Sequence, residues 1–214
     1  MSFIVKITTI LNPLELIAPH SCRGCGRLGS VLCDRCKKYI IPCQNNIKDF
    51  PPVFCIGERK GILALLIHDF KYHSVRAIGV KLAELLDESL PQDLSKDAII
   101  VPLPTSTKHI RERGFDHTVF IAKRLAKLRH IKTENLLLRA KNTVQVGADK
   151  ATRITQANSA YTINPKLKIN PDKTYLLLDD VWTTGASMRA ALKKLREAGA
   201  KNFIIVLLAV SRLD

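Results

Sequence analysis

The sequence predicts an α/β protein, with a parallel sheet flanked by helices and a small metal-binding module ahead of it. Three observations predict this. Residues 175–187 read YLLLDDVWTTGAS, which is an apolar strand, a carboxylate pair and a small hydroxyl-rich turn opening a helix. A second strand, loop and helix begin at residue 98, and a further apolar run closes the chain at 203–210, the alternation of a parallel sheet with ligand at its C-terminal edge. All six cysteines, at 22, 25, 33, 36, 43 and 55, fall in the first quarter of the 214 residues.

Residues 3–17 are fairly apolar, with Ile4, Ile7, Leu11, Leu14 and Ile17 near one helical face that packs on the domain or touches a membrane or partner. Cys22 and Cys25 (CRGC) and Cys33 and Cys36 (CDRC) then form two CxxC pairs seven residues apart. Two such knuckles supply the four thiolates that structural Zn²⁺ takes as a tetrahedron, and Arg23, Arg27, Arg35 and Lys37 favour the thiolate forms. No secretory signal precedes them, which disfavours disulfides, and a redox CxxC is the weaker rival. Cys43 and Cys55 lack that spacing and read as free thiols.

A polar, proline-bearing hinge at 42–52 divides a zinc module at 1–50 from the main domain at 51–214. Residues 61–71 and 77–88 read as helices, the second with Ile78, Leu82, Leu85 and Leu86 on one face. AIIVPL at 98–103 is the first buried strand candidate. Pro104, Thr105, Ser106 and the basic run 108–114 follow as a second phosphate loop. Asp116 reads as the N-cap of a helix burying Thr118, Ile121, Ala122, Leu125 and Leu128. The polar stretch 139–161 is either a lid over the site or a surface loop. A last helix at 187–198 stops at Gly199.

At the turn after residue 182, backbone N–H groups and the helix dipole favour a phosphate, and Thr183, Thr184 and Ser187 add hydroxyl donors around Gly185 and Ala186. Asp179 and Asp180 repel that phosphate, so they suit vicinal sugar hydroxyls or Mg²⁺. An ATPase would need GxxxxGK[ST], which occurs nowhere in the chain, and a phospho-receiver pocket fits less well. DDVWTTGAS resembles the phosphoribosyl pyrophosphate motif of type I phosphoribosyltransferases. That resemblance implies Asp179 and Asp180 on the ribose hydroxyls and residues 183–187 on the 5-phosphate. It also implies Lys108, Arg111 and Arg113 on pyrophosphate alongside Mg²⁺. Spacing picks out no general base.

Thirty-four Lys and Arg against 19 Asp and Glu give a net charge of +15, which suits a polyanion such as single-stranded nucleic acid, an anionic membrane face, or simply a soluble surface. No apolar run is long enough to span a bilayer, so the expected compartment is the cytoplasm.

The two CxxC pairs, VPLP followed by RERGFDH at 111–117, and LLLDDVWTTGAS together resemble the ComF family of competence proteins. FKY at 70–72 is a fourth, weaker match, which brings Lys71 into the candidate site. The family usually follows RGF with Asn-Gln, where this chain has Asp116 and His117. Its loop motif also differs here, with Arg153, Gln156 and Ala160-Tyr161 in place of the usual pattern. The resemblance implies a role in natural transformation, with phosphoribosyl pyrophosphate and single-stranded DNA as partners at the inner membrane, near its DNA-translocation machinery. A metabolic phosphoribosyltransferase of unknown acceptor is the alternative, and a purine-gene regulator lacks its DNA-reading helices.

Overall fold

The computed structural model describes residues 20–43, 47–140 and 160–211. The apolar stretch 3–17 lies outside them, as does most of 139–161. A five-stranded, all-parallel sheet forms the centre, in the order β1 (Val53–Glu58), β7 (Asn202–Val210), β6 (Thr174–Trp182), β2 (Ile99–Pro102), β3 (Lys132–Thr133). The apolar runs make it so. In β6, Tyr175, Leu176, Leu177 and Leu178 are all fully buried, as expected of a strand covered on both faces.

One face is covered by α2 (Gly61–Tyr72), α3 (Arg76–Ser89) and α5 (His117–Arg129), joined in the same core by the short α1 (Asp34–Lys37) of the cysteine module through Cys36. Ile78, Leu82, Leu85 and Leu86 of α3 point into that core as their spacing predicts, whereas Leu128 of α5, expected to be buried, is 45% exposed on the last turn. The other face is covered by α6 (Ala186–Glu197) and by an antiparallel pair, β4 (Leu137–Arg139) with β5 (Tyr161–Ile163). The two ends of the 139–161 stretch are thereby joined.

Strand β1 was not anticipated, and it displaces 98–103 as the first strand of the sheet. Its six residues follow Pro51-Pro52 inside what reads as a hinge, and Gly57 interrupts the apolar pattern. That glycine is required. A Cβ there would stand 2.4 Å from the Ile41 carbonyl, because the chain leaving the cysteine module folds back along β1 and Glu58 N–H donates to Ile41 O at 2.8 Å. The same return path corrects the reading of Cys43 and Cys55 as free thiols. They are paired as a disulfide, with Cα atoms 6.7 Å apart.

The chain direction changes around the central strands. After β2 the chain crosses through α4 (Thr107–Arg113) and α5 to β3 on one side, and after β6 it crosses through α6 to β7 on the other. The gap between the C-terminal ends of β2 and β6 is therefore a topological switch point, the usual ligand crevice of a parallel sheet. β2 pairs with β6 only as far as Leu178, while β7 accompanies β6 to Trp182. The acid pair thus stands on the strand itself, past the end of β2, and not in the turn after it. Among the described residues, no helix is long and apolar enough to cross a membrane.

Candidate functional site

Successive residues of a strand face opposite ways, so Asp179 and Asp180 have different surroundings. Asp180 Oδ2 contacts Lys71 Nζ from the end of α2 and lies 2.7 Å from His117 Nε2 in the first turn of α5. Burial pushes this carboxyl up, but the His117 hydrogen bond and the Lys71 charge outweigh it and hold Asp180 well below the usual carboxylate range. Asp179 keeps one short bond, from the Asp180 N–H at 2.8 Å. Burial, and then the Asp180 charge, push it up to about 7, with Lys71 and Arg139 offsetting part of the rise. Asp180 is thus neutralised by cations and donors, and Asp179 is the less compensated of the two.

Arg113 completes this wall. Its Nη1 lies 2.9 Å from His117 Nδ1, its guanidinium sits 5.2 Å from the Tyr72 ring centroid, and its buried Nε has no hydrogen-bond partner among the described residues. Asp116 is the N-cap that the sequence predicts. Its Oδ1 accepts from the N–H groups of Thr118 and Val119 at 3.1 and 3.2 Å and from Thr105 Oγ1 at 3.1 Å, which ties the β2 loop to the start of α5. Lys108 and Arg111, expected beside Arg113, are directed elsewhere. Lys108 is 82% exposed and 3.9 Å from Glu112, Arg111 is also exposed, and no residue of α4 is buried.

Beyond the acid pair, residues 183–187 turn into α6 around a cavity of about 40 Å³, which they line with Asp179 and Trp182. Thr183, Thr184, Ala186 and Ser187 are exposed, while Gly185 is buried against the Trp182 ring with φ +73° as the α6 N-cap. The opening thus faces exposed hydroxyls and the first N–H groups of a helix, of which that of Ala186 donates to Thr184 Oγ1 at 3.4 Å, the chemistry that binds an anion. Tyr161 of β5 shares a core with Met188 and Ala191 of α6, which brings the β4–β5 pair against the start of the same helix.

The four sequence-predicted metal ligands converge. Sγ atoms of Cys22, Cys25, Cys33 and Cys36 all lie within 4.8 Å of one another, with Cys22–Cys33 at 3.6 Å and Cys25–Cys33 at 3.7 Å. Four sulfurs about 2.3 Å from a central Zn²⁺ have edges of about 3.8 Å, so the cluster could hold one. Backbone N–H groups of Cys33, Cys25 and Gly24 overcome burial to lower Cys22 to about 6, while burial and its thiol neighbours push Cys36 up to about 12. The module is not a separate bead. Cys22, Val31, Leu32 and Cys36 share a core with Leu63 and Leu66 of α2, Arg23 Nε meets Asp69 at 2.9 Å, and Lys37 meets Glu88 at 2.5 Å.

Of the predicted ligand residues, the structure brings together Asp179, Asp180, Lys71 and Arg113, with residues 183–187 beside them. Spacing missed His117. Its only signal in the sequence is its position directly after the Asp116 cap, which puts its side chain on the first turn of a helix aimed at the strand ends.

The parallel sheet flanked by helices, with its switch-point crevice, is phosphoribosyltransferase-like, and residues 116–212, a little under half of the chain, match the Phosphoribosyl transferase domain family. Within that class the chain is homologous to competence proteins. It is 28% identical over 189 residues to Competence protein F of Haemophilus influenzae, covering 83% of this chain and 80% of that one. It is 25% identical over 203 residues to Competence protein ComFC of Bacillus subtilis, covering 88% and 76%. Among solved structures, the allosteric regulatory enzyme of purine biosynthesis aligns at TM-score 0.47 and 16% identity over 66% of this chain and 30% of its own, too loose a likeness to carry weight.

Proposed function

We propose that this protein is a competence factor which binds phosphoribosyl pyrophosphate and handles single-stranded DNA during transformation. The observation that carries the binding half is the juxtaposition at one strand end of an acid pair, for the ribose hydroxyls, and a hydroxyl-lined helix start, for the 5-phosphate. In this reading Asp179 and Asp180 orient the sugar, residues 183–187 hold its phosphate, and Arg113 faces the pyrophosphate. Asp179, the less compensated carboxylate, fits a Mg²⁺ ion, which would supply charge neutralisation for the pyrophosphate. Lys108 and Arg111 stand at the rim and contribute long-range attraction.

The competence half rests on the homology, and the net charge of +15 suits a nucleic-acid partner. Both nitrogens of His117 are engaged by Arg113 and Asp180, which leaves that imidazole no free nitrogen to act as the general base of a metabolic phosphoribosyltransferase.

Calorimetry with phosphoribosyl pyrophosphate and Mg²⁺ tests the site: Asp179→Ala/Asp180→Ala is expected to abolish binding, and equal binding by mutant and wild type would refute the assignment. Affinity for single-stranded DNA is expected to fall steeply between low and moderate salt, and a flat response would remove the electrostatic argument. The same double mutant, assayed for transformation in cells, connects the two halves.

A further inference from the structure

We infer that His117 is a positioning residue that locks Arg113 to Asp180 as a neutral imidazole carrying its proton on Nε2. The inference rests on the phosphoribosyl pyrophosphate reading for its functional consequence but on geometry alone for the chemistry of the ring.

A guanidinium has only donors, so Arg113 Nη1, at 2.9 Å, makes Nδ1 of His117 the acceptor. Nε2 is then the N–H that donates to Asp180 Oδ2 at 2.7 Å. The ring has no freedom to choose otherwise, because its side chain is 4% exposed and its backbone begins α5 directly after the Asp116 cap. Asp116 is in turn anchored to the β2 loop through Thr105.

Arg113 needs this support. It is the last residue of α4, a seven-residue helix that buries none of its side chains and therefore cannot hold a guanidinium in place by packing. Among the described residues, its restraints apart from His117 are the face of Tyr72 and a 3.4 Å bond from Ser74 Oγ to its carbonyl. The imidazole thus joins the carboxylate assigned to the sugar hydroxyls to the cation assigned to pyrophosphate. Loss of the ring should release Arg113 and leave the 5-phosphate loop, on the far side of β6, untouched.

An amide presents one donor and one acceptor side by side, as the neutral imidazole does, so His117→Gln can keep both bonds while His117→Leu keeps neither. Calorimetry with phosphoribosyl pyrophosphate plus Mg²⁺, and separately with ribose 5-phosphate, gives the test. His117→Leu is expected to weaken the pyrophosphate ligand about 10-fold or more and to leave ribose 5-phosphate within about threefold, with His117→Gln restoring the former to within about threefold of wild type. Parallel loss of both ligands without rescue by Gln would overturn the positioning role, as would unchanged binding by His117→Leu. Wild type that binds ribose 5-phosphate or neither ligand, but never the pyrophosphate, would instead bring down the site reading, and the functional role with it. Ring-nitrogen NMR of the ligand-free wild type decides the chemistry independently: the Nε2–H tautomer is expected near neutral pH, and an Nδ1–H or doubly protonated ring overturns the inference whatever binds.

Discussion

Replacing Gly185 by alanine probes the seat of the phosphate loop. Gly185 has φ +73°, and a Cβ on it would stand 2.4 Å from Cζ2 and 2.8 Å from Cη2 of Trp182. That indole cannot step aside, since it is 9% exposed and braced edge-on by Phe50 with ring centroids 4.7 Å apart. Two costs therefore add. The left-handed backbone costs an alanine roughly 1–2 kcal/mol, and forcing a methyl into a packed ring costs roughly 1–3 kcal/mol more. Gly199→Ala is the control, because its φ of +100° carries the backbone cost while its Cβ would meet nothing within 4 Å.

Urea unfolding should place Gly185→Ala below Gly199→Ala by roughly 1–3 kcal/mol with unchanged m. Calorimetry should show phosphoribosyl pyrophosphate affinity lost in Gly185→Ala alone. Equal destabilisation of the two variants would refute the Trp182 contact, and unaltered affinity in Gly185→Ala would refute the loop as the phosphate seat.

Asp179→Asn should stabilise the ligand-free protein increasingly as pH rises. A carboxyl raised from 3.8 to about 7 binds its proton more tightly in the folded chain, so its contribution to stability is lost across that window as pH increases. The rise of about three units sets a ceiling of about 4 kcal/mol, and its partial solvent access brings the expected gain at pH 8 to roughly 2 kcal/mol, against less than half of that at pH 5; a gain independent of pH in urea titrations would contradict the assignment. Metal analysis should find one Zn²⁺ per chain, absent in Cys25→Ser, and a strong chelator should lower the melting temperature of the whole domain; an unchanged melting curve would contradict the shared core. Asp116→Ala removes a cap with two backbone bonds and should cost roughly 1–2 kcal/mol in urea unfolding, with Asp116→Asn losing less; equal stability of all three proteins would rule out the cap.

Legibility in the sequence followed the range of the forces involved. The strands of 98–103, 175–182 and 203–210, the helix after Asp116 and the cysteine knuckles are set by local pattern and were all readable, to within a residue or a few at their ends. Strand β1 was not, because its membership depends on β7, 150 residues away, and its six residues carry a glycine needed only for the return of the chain past Ile41. Arg113 and His117 illustrate the same division. A basic run after a strand end signals anion binding, but which of Lys108, Arg111 and Arg113 turns inward depends on Tyr72 and His117, residues of other helices. Lys71 was readable only through a resemblance. Its contact with Asp180 joins residues more than 100 positions apart in the sequence.

These long-range links give the cysteine module a part in the site. Arg23, within the first CxxC, pairs with Asp69 on α2, and two residues further on Lys71 reaches Asp180. Asp69 is buried, so its carboxylate depends on Arg23 together with the exposed His68 and His73 beside it. A buried carboxylate that loses its cation is costly, so the Arg23 pair ties the cysteine module to the end of α2 that carries Lys71. With Lys71 gone, Asp180 would lose a compensating charge next to an Asp179 already raised by repulsion. Two ion pairs on one helix end, Arg23 with Asp69 and Lys71 with Asp180, thus connect the knuckles to the acid pair.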